Sequence, residues 1–146
     1  NNLGGFSPLP CVFPPSDSRH GIYMDRVAFQ AVDRVTLVHE MGHFLGLFHT
    51  FHNWNWTDSS DDSVCSDVDN DFIPDTPPQN KSDSFPVPID CDAPPTTCED
   101  SETPDSVRNV MQYTSCEEIE EASFTEDQYR RMQWTLVRER SSLIQY

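Results

Sequence analysis

Apolar positions in the first third of the chain predict a strand followed by a helix. Residues 21–29, "GIYMDRVAF", mix β-branched and aromatic residues with partial alternation, which is typical of a strand. From about residue 32 to residue 45 the apolar residues recur at helical spacing, and Asp33 is a candidate N-cap. We expect Gly46 to end this helix, because glycine is the usual residue just beyond a helix C-terminus.

The rest of the chain predicts one long irregular segment and a second helix. Between residues 50 and 107 lie 8 of the 12 prolines, with polar clusters and no sustained periodicity, which excludes a long helix or a regular sheet. An irregular segment of this length needs disulfides or a bound cation to order it. Residues 124–140 predict a helix, with Thr125 as the N-cap and basic residues near its end.

Length, charge and hydropathy narrow the class of protein. The 146 residues fit a single domain, and no apolar run approaches the roughly 18 residues that a membrane span requires. The N-terminus lacks the features of a signal peptide, so we expect a processed or excised soluble piece. A net charge of -16 argues against nucleic-acid and anionic-membrane partners, which bind basic patches. Residues 58–105 concentrate the acidity, with 14 Asp or Glu against Lys81 alone.

Cysteines and sequons favour a secreted protein. The five cysteines do not fall in CxxC spacing, so disulfides are the better interpretation, and four paired cysteines would allow three connectivities. The sequons "NWT" at Asn55 and "NKS" at Asn80 lie in polar sequence and agree with a secreted glycoprotein.

The stretch "HEMGHFLGLFH" carries the strongest chemical signal. On a helix His39 and His43 project from one face, and a positive φ at Gly46 would let the chain fold back to present His49 as a third zinc ligand. A fourth position then stays open for water. Glu40 is placed to take a proton from the zinc-bound water and pass it to a leaving amine, which implies hydrolysis of a peptide bond.

A coincidental apolar helix is the competing interpretation. Five fixed positions make a chance match on the order of one in ten thousand, so we favour a catalytic type of zinc site. A purely structural zinc would need a fourth protein ligand, and none lies at a short spacing.

These residues carry a family resemblance. "HEMGHFLGLFH" resembles the HExxHxxGxxH signature of metzincin metallopeptidases. Together with "DFIPDTPPQ" and "NVMQY" it is similar to the pappalysin family. The resemblance implies one α+β catalytic domain over residues 1–146 with the metzincin-type zincin fold. Residues 1–46 would form an upper part with a twisted sheet and the zinc helix, and residues 47–146 an irregular, disulfide-tied lower part with a C-terminal helix.

Further residue roles follow from the same resemblance. Met111 would lie in the Met-turn beneath the metal, and Tyr113 would stabilise an oxyanion; an ordinary core methionine and a half-buried turn tyrosine are the alternatives. The implied disulfides are Cys65–Cys98 and Cys91–Cys116, which leaves Cys11 either free or paired with a cysteine outside the chain.

The acidic loop is a candidate calcium site. Asp67, Asp69, Asp71 and Asp75 are spaced like oxygen ligands, but the glycine and glutamate of an EF-hand are missing. The resemblance implies calcium ligation by Asp71, Asp75 and Thr76, and a solvated acidic loop is the alternative.

The length of chain before the zinc motif departs from the family. Only 38 residues precede His39, so the upper part is expected to be N-terminally truncated. The expected function is that of a secreted, extracellular zinc endopeptidase acting on proteins or peptides, without nucleic-acid or membrane partners. Two alternatives stay open: a non-catalytic metal-containing binding module, supported by the truncation, and a calcium-stabilised adhesion module.

Overall fold

The computed structural model of the chain describes residues 4–26, 35–51, 71–80, 90–98, 101–113, 116 and 122–144. Two helices and a short antiparallel sheet make it an α+β structure, in agreement with the fold class expected from the sequence. The elements are strand β1 (Gly5–Phe6), strand β2 (Tyr23–Met24), helix α1 (Val35–Phe44), helix α2 (Glu126–Arg138) and a 3-10 turn (Ser141–Ile144).

The two strands form an antiparallel pair with a fixed register. Gly5 lies opposite Met24, and Phe6 lies opposite Tyr23. The rings of Phe6 and Tyr23 are 6.4 Å apart, as expected for a cross-strand aromatic pair. The strand expected at residues 21–29 is therefore present but short, since Arg26 is already helical and residues 27–29 lie outside the described part.

Helix α1 ends at Phe44 in a hydrogen-bonded turn built around glycine. The amide of Leu47 donates to the Gly42 carbonyl and the amide of Gly46 donates to the His43 carbonyl, both at 2.9 Å. This pair of bonds is the Schellman motif, which requires a left-handed residue just after the helix. Gly46 supplies this residue, with φ of 91°.

Gly46 is also packed too closely to carry a side chain, which gives a stability prediction. A Cβ at Gly46 would lie 2.7 Å from Thr135 Oγ1, and an L residue at this φ is strained. We expect Gly46→Ala to lower the free energy of unfolding by roughly 2–4 kcal/mol, measured by urea denaturation. Gly21→Ala is the matched control, because nothing lies within 4 Å of its Cβ position. Equal stability of the two variants would contradict the claim that close packing and a positive φ require glycine at position 46.

Helix α2 begins after Thr125, as the sequence predicts. Asp75 supports this start: its carboxylate accepts hydrogen bonds from Thr125 Oγ1 at 2.6 Å and from the Asp127 amide at 3.0 Å. The buried face carries Gln128, Met132 and Thr135, at spacings of four and three residues. An acceptor at a helix N-terminus satisfies an otherwise unpaired amide and suits the helix dipole.

The chain divides into two compact units, residues 1–47 with 128–146 and residues 48–127. The family resemblance implies a C-terminal helix in the lower part, and most of α2 groups with residues 1–47. Its contacts explain this: Thr135 meets Gly46, and Arg140, which is 2% exposed, donates from Nε to the Phe44 carbonyl at 2.6 Å. The Arg140 guanidinium also stacks on the Phe44 ring at 3.5 Å.

The unit of residues 48–127 has little regular structure among its described residues and is held by a small core and a disulfide. Its buried apolar side chains are Phe51, Ile73, Cys98, Val107, Val110, Met111 and Cys116. Cys91 and Cys116 form a disulfide. Cys98 is also disulfide-bonded, and Cys65 lies outside the described residues.

Cys11 is an exposed thiol in the other unit, and its Sγ donates to Glu139 at 3.0 Å. Within the described part of the chain, no helix is long and apolar enough to cross a bilayer.

Candidate metal and catalytic site

Three histidines converge on one point. The ligating nitrogen atoms of His39, His43 and His49 lie within 4.8 Å of one another. Helix α1 presents the first two from one face, with ring centroids 4.8 Å apart. The turn at Gly46 redirects the chain immediately before the third. This is the only group of at least three metal-binding side chains among the described residues.

His43 is held in the tautomer that a metal ligand needs. Its Nδ1 lies 2.8 Å from the Leu47 carbonyl oxygen, which can only accept, so Nδ1 carries the proton. Nε2 is then left with its lone pair for a metal. Burial lowers the pKa of His43, which also favours the neutral imidazole. Because Leu47 belongs to the Schellman turn, one local structure ends the helix and orients a ligand.

His49 contacts two aromatic rings, which also contact each other with centroids 5.2 Å apart. Phe51 stacks on it with centroids 4.8 Å apart, and the Tyr113 ring lies 4.5 Å away. Tyr113 is 44% exposed. The structure therefore puts this tyrosine beside the third histidine, with part of its surface open to solvent.

Met111 lies in a tight turn that is hydrogen-bonded to the residue that follows His49. It is fully buried, and its carbonyl accepts a hydrogen bond from the Thr50 amide at 3.2 Å. The turn is closed by the Gln112 amide donating to the Asn109 carbonyl at 3.0 Å, and Asn109 Oδ1 accepts from the Met111 amide at 2.9 Å. Both the amide and the carbonyl of Met111 are thus held by hydrogen bonds.

Glu40 is buried at 6% exposure, with one carboxylate oxygen held and the other unpartnered. The backbone of Ser7 is a hydrogen-bond donor near the carboxylate, and Oε2 has no partner among the described residues. A Cβ at Gly5 would lie 2.6 Å from Glu40 Cγ, so β1 packs directly against this side chain. Burial raises the pKa of Glu40 to about 7, while the Ser7 hydrogen bond lowers it.

In the acidic loop, Asp71 and Thr76 lie together. Asp71 is 1% exposed; its Oδ1 accepts from the Ile73 amide at 3.0 Å and from Thr76 Oγ1 at 2.6 Å, and its Oδ2 is buried without a partner. Burial raises the pKa of Asp71 to about 6. Asp75 instead engages both carboxylate oxygens at the start of α2. Asp67 and Asp69 lie outside the described residues.

The histidine group fits zinc. Catalytic zinc sites commonly use three neutral imidazoles and leave the fourth coordination position open. The ring nitrogen that does not bind the metal commonly donates a hydrogen bond to a carbonyl oxygen, which orients the imidazole. Sequence reasoning did not identify the supporting residues Gly5, Ser7 and Leu47. No local pattern in the sequence indicates that residues 5 and 7 lie against the Glu40 side chain.

Comparison with known proteins agrees with this site. Residues 16–137 match the family Peptidase_M43, described as pregnancy-associated plasma protein-A. The chain is 37% identical over 106 residues to an extracellular metalloprotease of Aspergillus oryzae, covering 71% of this chain and 29% of the relative. It is 38% identical over 98 residues to one of Aspergillus fumigatus, covering 66% and 26%. The chain thus spans less than a third of the length of these relatives. Since the family match covers most of the chain and includes the histidine triad, the chain belongs to the M43, or pappalysin, family of metallopeptidases.

Proposed function

We propose that this chain is the catalytic part of a secreted zinc endopeptidase. Two observations carry the proposal: the convergence of His39, His43 and His49, and the burial of Glu40, the residue after His39, whose carboxylate keeps one oxygen without a partner among the described residues. A metal triad alone suits binding, but an adjacent acid held by the backbone and left with a vacant oxygen suits proton transfer.

In the proposed mechanism the three histidines would hold zinc, and Glu40 would move protons. When bound, zinc would acidify a water molecule and polarise the peptide carbonyl. Oε2 of Glu40, which has no hydrogen-bond partner among the described residues, would accept a proton from the attacking water and return it to the leaving amine. A cation held by the triad would favour the charged carboxylate, which is the form that acts as a base.

Two further residues complete the proposed site. Tyr113, whose ring contacts His49, is assigned to stabilise the oxyanion that develops on the substrate carbonyl, because a phenol can donate one hydrogen bond to it. Met111 is assigned to support the site through its turn and through the hydrogen bond between its carbonyl and the Thr50 amide. Its thioether needs no role in proton transfer.

The substrates are proposed to be proteins or peptides, and the location extracellular. The relatives carry the name extracellular metalloprotease, and the Cys91–Cys116 disulfide suits an oxidising compartment. Asn80 is a proposed glycan acceptor: its side chain is only partly buried, and among the described residues its side-chain amide makes one long hydrogen bond, of 3.5 Å, to the Thr97 carbonyl. The charge of -16 still argues against nucleic-acid and anionic-membrane partners.

Chelator-sensitive proteolysis tests the proposal. The zinc-loaded chain is expected to cleave reduced, unfolded casein. Activity should fall below a tenth on treatment with 1,10-phenanthroline and return when zinc is added, because the triad supplies the metal site. Stoichiometric zinc with no turnover on several unfolded substrates would overturn the protease assignment and favour a non-catalytic metal-containing module.

Calcium is proposed at Asp71, with Thr76 and Asp75 as the neighbouring oxygen donors. The supporting observation is the buried Asp71 carboxylate, whose unpartnered Oδ2 would be satisfied by a cation. Added calcium is expected to raise the melting temperature of the wild type by several degrees, through binding to the folded state. Asp71→Asn should abolish this shift, and Asp92→Asn, at an exposed aspartate, should preserve it. An equal calcium shift in Asp71→Asn would exclude this residue as a ligand.

A further inference from the structure

His49 differs from the other two histidines in how its position is fixed. His39 and His43 lie on a helix, whose backbone hydrogen bonds set their spacing. His49 lies in a segment without regular secondary structure. Its position therefore depends on tertiary contacts, both those of its own ring and those of its neighbours in sequence. The most buried of these neighbours is Thr50, with no exposed surface.

Thr50 is held at both its backbone and its side chain. Its amide donates to the Met111 carbonyl, and its Oγ1 accepts a hydrogen bond from Gln79 Nε2. Gln79 is 2% exposed, and its Oε1 accepts from the Ser106 amide at 2.9 Å. Because a backbone amide can only donate, this second bond fixes the orientation of the Gln79 side-chain amide.

Gln79 therefore connects two segments that build the site. One end of its side chain holds the residue after His49. The other end holds Ser106, three residues before the turn at Asn109 that contains Met111. Both polar ends are paired and shielded from water, which makes the link rigid and its loss costly.

We propose that Gln79 is a positioning residue that fixes His49 for metal binding. It acts through Thr50 and does not contact substrate or metal. The proposal rests on the proposed zinc site, but it concerns metal affinity and not hydrolysis, so the two can fail separately.

Zinc affinity of side-chain variants tests this role. The apparent Kd is measured on the purified full chain by competition with a chromogenic chelator, with folding checked by circular dichroism. Gln79→Met keeps the side-chain length and loses both hydrogen bonds, and we expect its zinc Kd to rise roughly 10- to 100-fold, as for other residues that support metal ligands. Gln79→Glu should stay within about threefold of wild type, because its carboxylate accepts from Ser106 and the Thr50 hydroxyl can turn to donate.

Thr50 variants provide an independent measurement. Thr50→Val is expected to weaken zinc binding as Gln79→Met does, and Thr50→Ser, which keeps the oxygen, should bind like wild type. Combining Thr50→Val with Gln79→Met should weaken binding no further than the worse single change, because each variant alone already removes the hydrogen bond between Thr50 and Gln79. If Gln79→Met fails to fold, the difference in zinc affinity between Thr50→Val and Thr50→Ser tests the positioning role instead.

The outcomes separate the two proposals. Wild-type zinc affinity in Gln79→Met, or in Thr50→Val, would overturn the positioning role, as would fully additive effects in the double variant. A wild-type chain that binds zinc tightly but cleaves nothing, combined with weak binding in Gln79→Met, would support the positioning role while rejecting the protease.

Discussion

Replacing Glu40 with glutamine is expected to lower kcat/KM on an unfolded protein substrate by roughly 10²- to 10⁴-fold, the usual contribution of a general base. Zinc content should stay unchanged in this variant, because the metal-binding group consists of three histidines and does not include Glu40. Glutamine keeps a side-chain oxygen for the Ser7 amide, so the local structure should persist. Since burial already disfavours the charged carboxylate, the neutral side chain should not lower the stability of the metal-free protein.

The measurement pairs steady-state hydrolysis with zinc content on the same preparation. Glu102→Gln, at an exposed carboxylate, is the matched control and should retain full activity. Unchanged activity in Glu40→Gln would remove the proposed base from the mechanism. A large loss of zinc in that variant would instead assign Glu40 to metal binding.

Replacing His43 with alanine is expected to weaken zinc binding by roughly a thousandfold and to abolish activity at limiting zinc. Zinc sites are worth on the order of 10 kcal/mol or more, so loss of one among few ligands removes several kcal/mol. The variant also deletes the hydrogen bond that ties the helix to the Leu47 carbonyl. Competition with a chelator gives the affinity, and hydrolysis with added zinc gives the activity.

His20→Gln is the control for His43→Ala. His20 is the one described histidine outside the metal-binding group, and glutamine keeps an oxygen that can accept from Arg140, its partner in the structure. Zinc affinity should stay at the wild-type value in His20→Gln. A similar loss in both variants would mean that His43→Ala acts through general destabilisation and not through the metal.

Structural features that depend on residues close together in sequence were predictable. The apolar spacing located the first helix, and the N-cap and charge distribution located the second. Glycine chemistry gave the turn at Gly46 and hence the approach of His49. Local physics determines these features, since side-chain periodicity and a positive φ each depend on a few adjacent residues. The strand at Tyr23–Met24 was placed but its length was not, because strand length depends on pairing partners distant in sequence.

Long-range contacts were not predictable from the sequence. The approach of Gly5 and Ser7 to Glu40 joins residues more than thirty positions apart, and neither residue type has a distinctive pattern. The association of α2 with residues 1–47 arises from Thr135 and Arg140, whose polar side chains give no sign that they are buried. Gln79 is a similar case, since its partners, Thr50 and Ser106, lie in two separate irregular segments.

X-ray absorption at the zinc K-edge tests the central claim most directly, because it reports the atoms bound to the metal. The zinc-loaded wild type is expected to show three imidazole nitrogens and one oxygen, and His49→Ala should show two imidazoles. A sulfur ligand, or a spectrum of His49→Ala identical to that of the wild type, would contradict a zinc site formed by His39, His43 and His49.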